Sequence, residues 1–311
     1  MPGSNIRDHA PLFEKQTLHG AYFATAAYVF WGFAPIYFKW VGHVDALEIV
    51  AQRVIWSVFL LLAILLYLGR LDALRLPENN WWKIILTALL LTCNWLLFIY
   101  AVVNNNIVET SLGYFINPLV SVFLGMIFLK ERLRPLQWIA ILIAAAGILF
   151  QLFYYARVPF IALALAFSFG FYGLIRKNLN LHSVGGLAIE TLIMAPVALT
   201  YLFWLQRTDQ LAFAHIDLRT DLLLVMAGFV TSFPLLCFAA AVTRLSLTAA
   251  GMFQYIAPSL SLGVAVLLYN EPFGVDRIVT FTCIWIALAI FTTETFYFHR
   301  KLGRRLNQPT I

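Results

Sequence analysis

Between Ile84 and Val103 the chain runs for twenty residues without a single Asp, Glu, Lys, Arg or His. At about 1.5 Å per residue in a helix, such a run reaches across the roughly 30 Å hydrocarbon layer of a bilayer. Tyr28–Trp40, Val54–Leu68 and Pro159–Ile175 are similarly poor in charge. Composition decides between a buried core and lipid. The 311 residues are 62% hydrophobic and 12% charged, with a mean hydropathy of +0.83. Soluble domains run at about half apolar and one-quarter charged. A water-soluble core of this size cannot hide so much apolar surface, so the solvent is the lipid bilayer and the chain is an all-α polytopic membrane protein.

Ten spans are expected, near 19–40, 46–69, 82–104, 109–129, 135–154, 158–175, 186–206, 221–242, 248–269 and 277–298. Residues 1–18 form an N-terminal tail and 299–311 a basic C-terminal tail. The first apolar run is too long for a cleaved leader and stays as the first helix. Trp81, Trp82, Trp138, Tyr201, Trp204 and Tyr269 sit near proposed span ends, where interfacial aromatics belong. Orientation follows from Lys and Arg in the loops. With the N-terminus cytoplasmic, inside segments carry fifteen of the 21 basic residues and outside loops five, while Arg53 lies within a span. That bias predicts that both termini are cytoplasmic.

The chain also repeats itself. Counting 140 residues forward, Pro118 falls on Pro258 and Glu131 on Glu271, whereas Lys130, Arg132 and Arg134 fall on Asn270, Pro272 and Gly274. Asn104 falls on Arg244, the opposite exchange. Gly32–Phe33 matches Gly170–Phe171, and Asn94 matches Pro234. An odd-numbered unit of five helices explains the charge inversion, because its second copy enters the membrane from the other side. The predicted fold is therefore two inverted-topology five-helix repeats, 19–154 and 158–298. That plan characterises secondary transporters, in which a substrate site lies between the halves.

The net charge of +6 does not mark a nucleic-acid binder, since the basic residues lie in short loops and tails rather than on one patch. Cys93, Cys237 and Cys283 lie in apolar windows without metal or disulfide spacing, and the six histidines form no constellation. No cofactor or metal is expected. An enzyme acting on lipid-linked substrates would need clustered acids or histidines at one membrane face, and none is visible. A non-transporting scaffold or sensor, and a facilitative channel, remain the alternatives to an alternating-access permease. The expected partners are a small-molecule substrate and the bilayer, with the protein a monomer or weak homodimer.

NWLLFIYAVVNNN (Asn94–Asn106), SLGYFINPLVSVFLGMIFLKER (Ser111–Arg132), RVIWS (Arg53–Ser57), LAFSFGFYGLIRK (Leu165–Lys177) and QYIAP (Gln254–Pro258) resemble the RarD-type permeases. These belong to the EamA branch of the drug/metabolite transporter superfamily. The resemblance spans about residues 19–298. It implies ten helices in two inverted repeats, inner-membrane residence and export of small metabolites or drugs, with a link to chloramphenicol in the group's name. Members of the group often carry histidine before the arginine of helix 2. This chain has Gln52 there, which puts any proton-handling role of that position in doubt.

Helix 4 carries a polar stripe of Thr110, Tyr114, Asn117 and Ser121, spaced to share one face. Helix 9 keeps Gln254 and Ser261 at the matching places. Such a stripe either lines a substrate cavity or bonds helices together. Arg53, about 10 Å inside its helix, either serves a cavity or snorkels outward, with Trp56 near enough to stack. Asn94 and Tyr172 complete the expected substrate-binding set of Arg53, Asn94, Tyr114, Asn117, Ser121, Tyr172 and Gln254. Pro118 and Pro258 are expected hinges, each removing a backbone hydrogen bond mid-helix. Glu48 and Glu190, at equivalent helix starts, are either proton-coupling carboxylates or partners of the helix dipole. Glu131 and Glu271 are expected to anchor the two gates. The scarcity of buried carboxylates tilts the expectation toward a facilitator rather than a proton antiporter.

Overall fold

The computed structural model describes the backbone of residues 6–75, 80–103, 107–155, 159–179, 181–270 and 274–306. Side chains of residues 1–15, 99, 102–111, 154–158, 276, 296 and 299–311 lie outside the description. The described elements are all helical. They are α1 (Ile6–Val41), α2 (Ala46–Tyr67), a short 3-10 turn (Leu71–Leu74), α3 (Trp81–Val103), α4 (Ile107–Phe128) and α5 (Pro135–Tyr155). Then follow α6 (Phe160–Leu179), α7 (Ser183–Arg207), α8 (Leu218–Val242), α9 (Leu247–Phe253), α10 (Ile256–Tyr269) and α11 (Val275–Leu306).

Eight segments are long and apolar enough to cross a membrane, with α9 and α10 counted as one, and Leu112–Phe128 of α4 is a shorter apolar helix. Among the described residues α1 falls outside that set, its span being diluted by His19, Tyr22, Tyr28, Tyr37 and Lys39. Large apolar side chains such as Phe59, Phe153, Phe160, Val197 and Leu267 point outward, the inverse of a soluble protein and the pattern lipid requires. Helix starts are set by short polar caps. Asp45 accepts from Leu47 N and Glu48 N, and Ser246 from Ala249 N. Asp217 accepts from Thr220 N at 2.6 Å, a bond that holds its carboxyl below the usual range.

Three boundaries differ from the sequence expectation. The first helix begins at Ile6 rather than near residue 19, and the last continues to Leu306, so much of both tails is helical. The span expected over 248–269 is two helices. Pro258 has no N–H for the carbonyl of Gln254, four residues back, and its ring crowds that carbonyl. The chain closes the gap with tighter turns, in which Gln254 N donates to Gly251 O, Tyr255 N to Met252 O and Ala257 N to Gln254 O. Pro118, the matching residue, lies inside an uninterrupted α4.

Helix packing exchanges the two halves. The major contact α4–α6 has its counterpart in α1–α10, α1–α8 in α6–α3, and α2–α8 in α7–α3. The contacts α2–α7, α5–α11 and α4–α9 map onto themselves. An interleaved pair of five-helix units has this pattern, and its details agree. A Cβ on Gly32 would stand 2.6 Å from Leu260 Cβ, and one on Gly170 2.8 Å from Val120 Cγ1, so the same close approach occurs in each half. Each half also ends its fourth span in a left-handed residue, Lys130 (φ 54°) and Asn270 (φ 53°).

The bundle has one basic end. There Gly20 of α1 packs on Arg244 and Leu245, and Arg134 pairs with Glu294 beneath Phe298. At the opposite end Lys39 lies over the Tyr269 ring, 3.4 Å from its centroid, and His43 Nε2 bonds Thr220 Oγ1 at 2.8 Å.

Candidate substrate pathway

Arg53 is the charge that the apolar run of α2 carries into the bundle. Gly228 allows α8 to meet α2 closely: a Cβ there would stand 2.5 Å from the backbone of Trp56, and Ser57 Oγ donates to Gly228 O. This crossing brings Thr231 to Arg53, whose Nε donates to Thr231 Oγ1 at 2.7 Å. The guanidinium carbon stands 4.7 Å from the ring centre of Trp95 and 5.6 Å from that of Phe38. Tyr37 and Tyr114 are the other groups within its electrostatic reach. Arg53 therefore points into the space among α1, α3, α4 and α8, not to lipid. Trp56, the stacking partner suggested by spacing, instead donates to Gln52 Oε1 and contacts Phe59 and Phe213.

The stripe on α4 descends from this point. Tyr114 is 53% exposed and touches Phe98, whereas Asn117 is 8% exposed and Ser121 1%. Thr110 lies outside the described side chains. Ser121 accepts from Gln254 Nε2 at 3.1 Å, so the stripes of the two halves meet where α9 breaks. Gly251 seats the crossing: a Cβ there would stand 3.0 Å from Pro118 O and 2.9 Å from Ser121 Cβ. Asn117 Oδ1, Gln254 Oε1 and Tyr28 Oη (which faces Gln254) are buried on these elements without a hydrogen bond of good geometry. Polar atoms left unpaired in an apolar interior are rare and expensive. Three on converging elements mark a place where a ligand or water can bond.

The remaining predicted residues lie elsewhere. Asn94 donates to Leu165 O and Ser168 Oγ, both at 2.9 Å, tying α3 to α6. Tyr172 is fully buried, stacks on Phe238 and donates to Glu190 Oε2 at 3.2 Å. Glu190 faces Arg176, with Oε1 3.5 Å from Nη1, both side chains being almost wholly buried. Glu48 is buried too, and its two oxygens accept from Ala212 N and Phe213 N at 3.0–3.1 Å, pinning the loop that follows α7. In the other half, the 3-10 turn after α2 packs on the start of α7, with Ala73 O against Gly185.

At the basic end one knot joins several helices. Glu131 caps α9, accepting from Leu247 N at 2.6 Å and Thr248 N at 2.9 Å. Lys177 of α6 donates to Val242 O at 3.0 Å and to Leu245 O. Glu271, expected to anchor the other gate, lies outside the described residues. Thr231, Tyr37 and Phe38 escaped the sequence reading, and Lys177 entered it only as a loop charge. Only Thr231 leaves a signal, a hydroxyl next to Ser232 in an otherwise apolar run. No group of three metal-binding side chains occurs among the described residues.

A lipid-facing bundle of two interleaved five-helix units, with polar groups converging where they meet, defines a membrane carrier. The chain matches the EamA-like transporter family over residues 18–153 and again over 157–293, and it belongs to that family, within the drug/metabolite transporter superfamily. It is 46% identical to Protein RarD of Escherichia coli K12 over 93% of this chain and 99% of that one. It is 49% identical to a Vibrio cholerae serotype O1 protein named Uncharacterized transporter, covering 90% and 94% of the two chains. To the Chloramphenicol-sensitive protein RarD of Pseudomonas aeruginosa it is 32% identical over 92% of this chain and 97% of that one. A solved crystal structure, 18% identical, superposes with a TM-score of 0.69 over 87% of this chain and 96% of its own, a likeness of fold.

Proposed function

We propose that this permease exports a small organic solute across the bacterial inner membrane by alternating access, with both termini cytoplasmic and the basic end facing the cytoplasm. The observation that carries the reading is the asymmetry between its ends. Glu131 and Lys177 tie α4, α6 and the α8–α9 turn together at the basic end, while nearer the other end Tyr114 is half-exposed and Arg53 partly so, which in this reading is the open side of the pathway. Halves of similar sequence and opposite direction can exchange these roles. The break before Pro258, beside an unbroken α4 at Pro118, is what two halves in different conformations would show. In this reading the two prolines are the hinges. Tyr114, Asn117, Ser121 and Gln254 line the path beneath Arg53.

Glu48 is saturated by backbone N–H groups, which suits a loop clasp rather than a proton carrier. Glu190 Oε1 is held by charge alone and is the better candidate for a proton-linked role. The knot at the basic end argues against an open channel. Inverted vesicles carrying the protein are expected to accumulate members of a panel of small aromatic solutes, chloramphenicol among them, above vesicles lacking it. Equal uptake by the two vesicle populations across the panel contradicts the reading.

A further inference from the structure

We propose that the solute carries a carboxylate, or another planar oxyanion, on an apolar ring-sized body, and that Arg53 is the residue that holds the anionic group. This rests on the reading of the bundle as a solute carrier. Arg53 stands between the halves, partly accessible, with its Nε committed to Thr231. Among the described residues its two terminal nitrogens donate to no protein group, and no carboxylate pairs with it. The glutamates whose side chains are described are engaged elsewhere: Glu48 with the 212–213 loop, Glu131 with α9, Glu190 with Arg176 and Glu294 with Arg134.

A guanidinium inside a membrane protein is costly unless its charge is met. Thr231 and the faces of Trp95 and Phe38 meet it in part and fix the plane of the fork. Two parallel N–H groups remain, the arrangement that takes a carboxylate bidentately. Trp95, Phe38, Phe98 and Tyr114 surround this point with ring surface, which suits an apolar body, while the charge of Arg53 itself disfavours a cationic solute. The repeat adds a further constraint. With Glu48 aligned to Glu190, Arg53 aligns to Ala195, so the second half supplies no matching charge at that position.

The test uses purified full-length protein in detergent and two matched pairs: benzoate with benzamide, and indole-3-acetate with indole-3-acetamide. Ligand-induced thermal stabilisation is followed for wild type, R53Q, R53K and T231V. Each acid is expected to stabilise wild type and each amide to bind at least about 30-fold more weakly, the scale of a charge-assisted hydrogen-bond pair. R53Q should abolish the acid's effect. R53K, which keeps the charge without the fork, should weaken it about tenfold, and T231V should weaken it while leaving the protein folded. If the acids and amides stabilise equally, if no acid binds at millimolar concentration, or if the acid effect survives in R53Q, the proposal fails. So does a result in which the variants lower only basal stability, because Arg53 would then be a brace between α2 and α8. Acid binding by a protein that moves no solute would instead contradict the transport reading and leave this one standing.

Discussion

Replacement of Arg176 by alanine is expected to remove about 3–5 kcal/mol of folded stability, and Glu190→Gln, which leaves the buried guanidinium without a counter-charge, a comparable amount. Arg176 and Glu190 side chains are 2% and 0% exposed and stand 3.5 Å apart. Gly186 makes room for the guanidinium: a Cβ at that position would lie 1.9 Å from Nη1. Truncating the arginine leaves a hole and a buried carboxylate whose remaining neighbours are Tyr172 Oη and Thr87. A neutral pair, Arg176→Met with Glu190→Gln, removes charge from both sides and should recover most of the loss. The readout is the temperature at which solubilised protein leaves the monodisperse fraction. Additive effects of the two single changes would show that the pair is not coupled.

Removing the Glu131 carboxylate is expected to reduce transport at least tenfold with little loss of folded protein. Glu131 meets the first two N–H groups of α9, where both the unpaired donors and the helix dipole favour an anion. Without it the α8–α9 turn keeps Lys177 but loses its link to the end of α4. Glu131→Ala should therefore allow a membrane-impermeant thiol reagent in inverted vesicles to reach a cysteine placed at Ser121, which the intact knot protects. Protection and transport both at wild-type level would mean that the knot is not a gate.

How much of this was legible beforehand depends on the kind of interaction. The spans could be read because lipid demands long charge-free runs, and the repeat because Pro118/Pro258 and Glu131/Glu271 lie at one offset. The exchange of Lys130 for Asn270 now has a conformational side as well, since both sit in the left-handed region. The break in the ninth span could not be read. Pro258 and Pro118 are the same residue in matching positions, and packing decides which helix opens.

At the site, Arg53 announced itself as the sole charge deep within a span. Its neighbours did not, because helical spacing selects Trp56 on the same helix, whereas Thr231, Trp95 and Phe38 arrive from three others. Glu48 was ambiguous for a related reason: its partners are backbone N–H groups, which leave no mark on a sequence. Arg176 counted as a loop charge in the orientation argument, yet it is buried against Glu190.

The central claim, a pathway that opens at one end only while the other is shut, is tested most directly by labelling from the two sides. Cys93, Cys237 and Cys283 are replaced, Tyr114 is changed to cysteine, and a second pair, Gly20→Cys with Leu245→Cys, closes the basic end with a disulfide. A Cβ at Gly20 would lie 2.9 Å from Leu245 Cγ, near the separation a disulfide needs. Impermeant maleimide should label position 114 in intact cells, and the disulfide should leave that labelling intact while abolishing transport until it is reduced. Labelling from the cytoplasmic side through the closed disulfide, or transport that continues with it formed, would contradict the account.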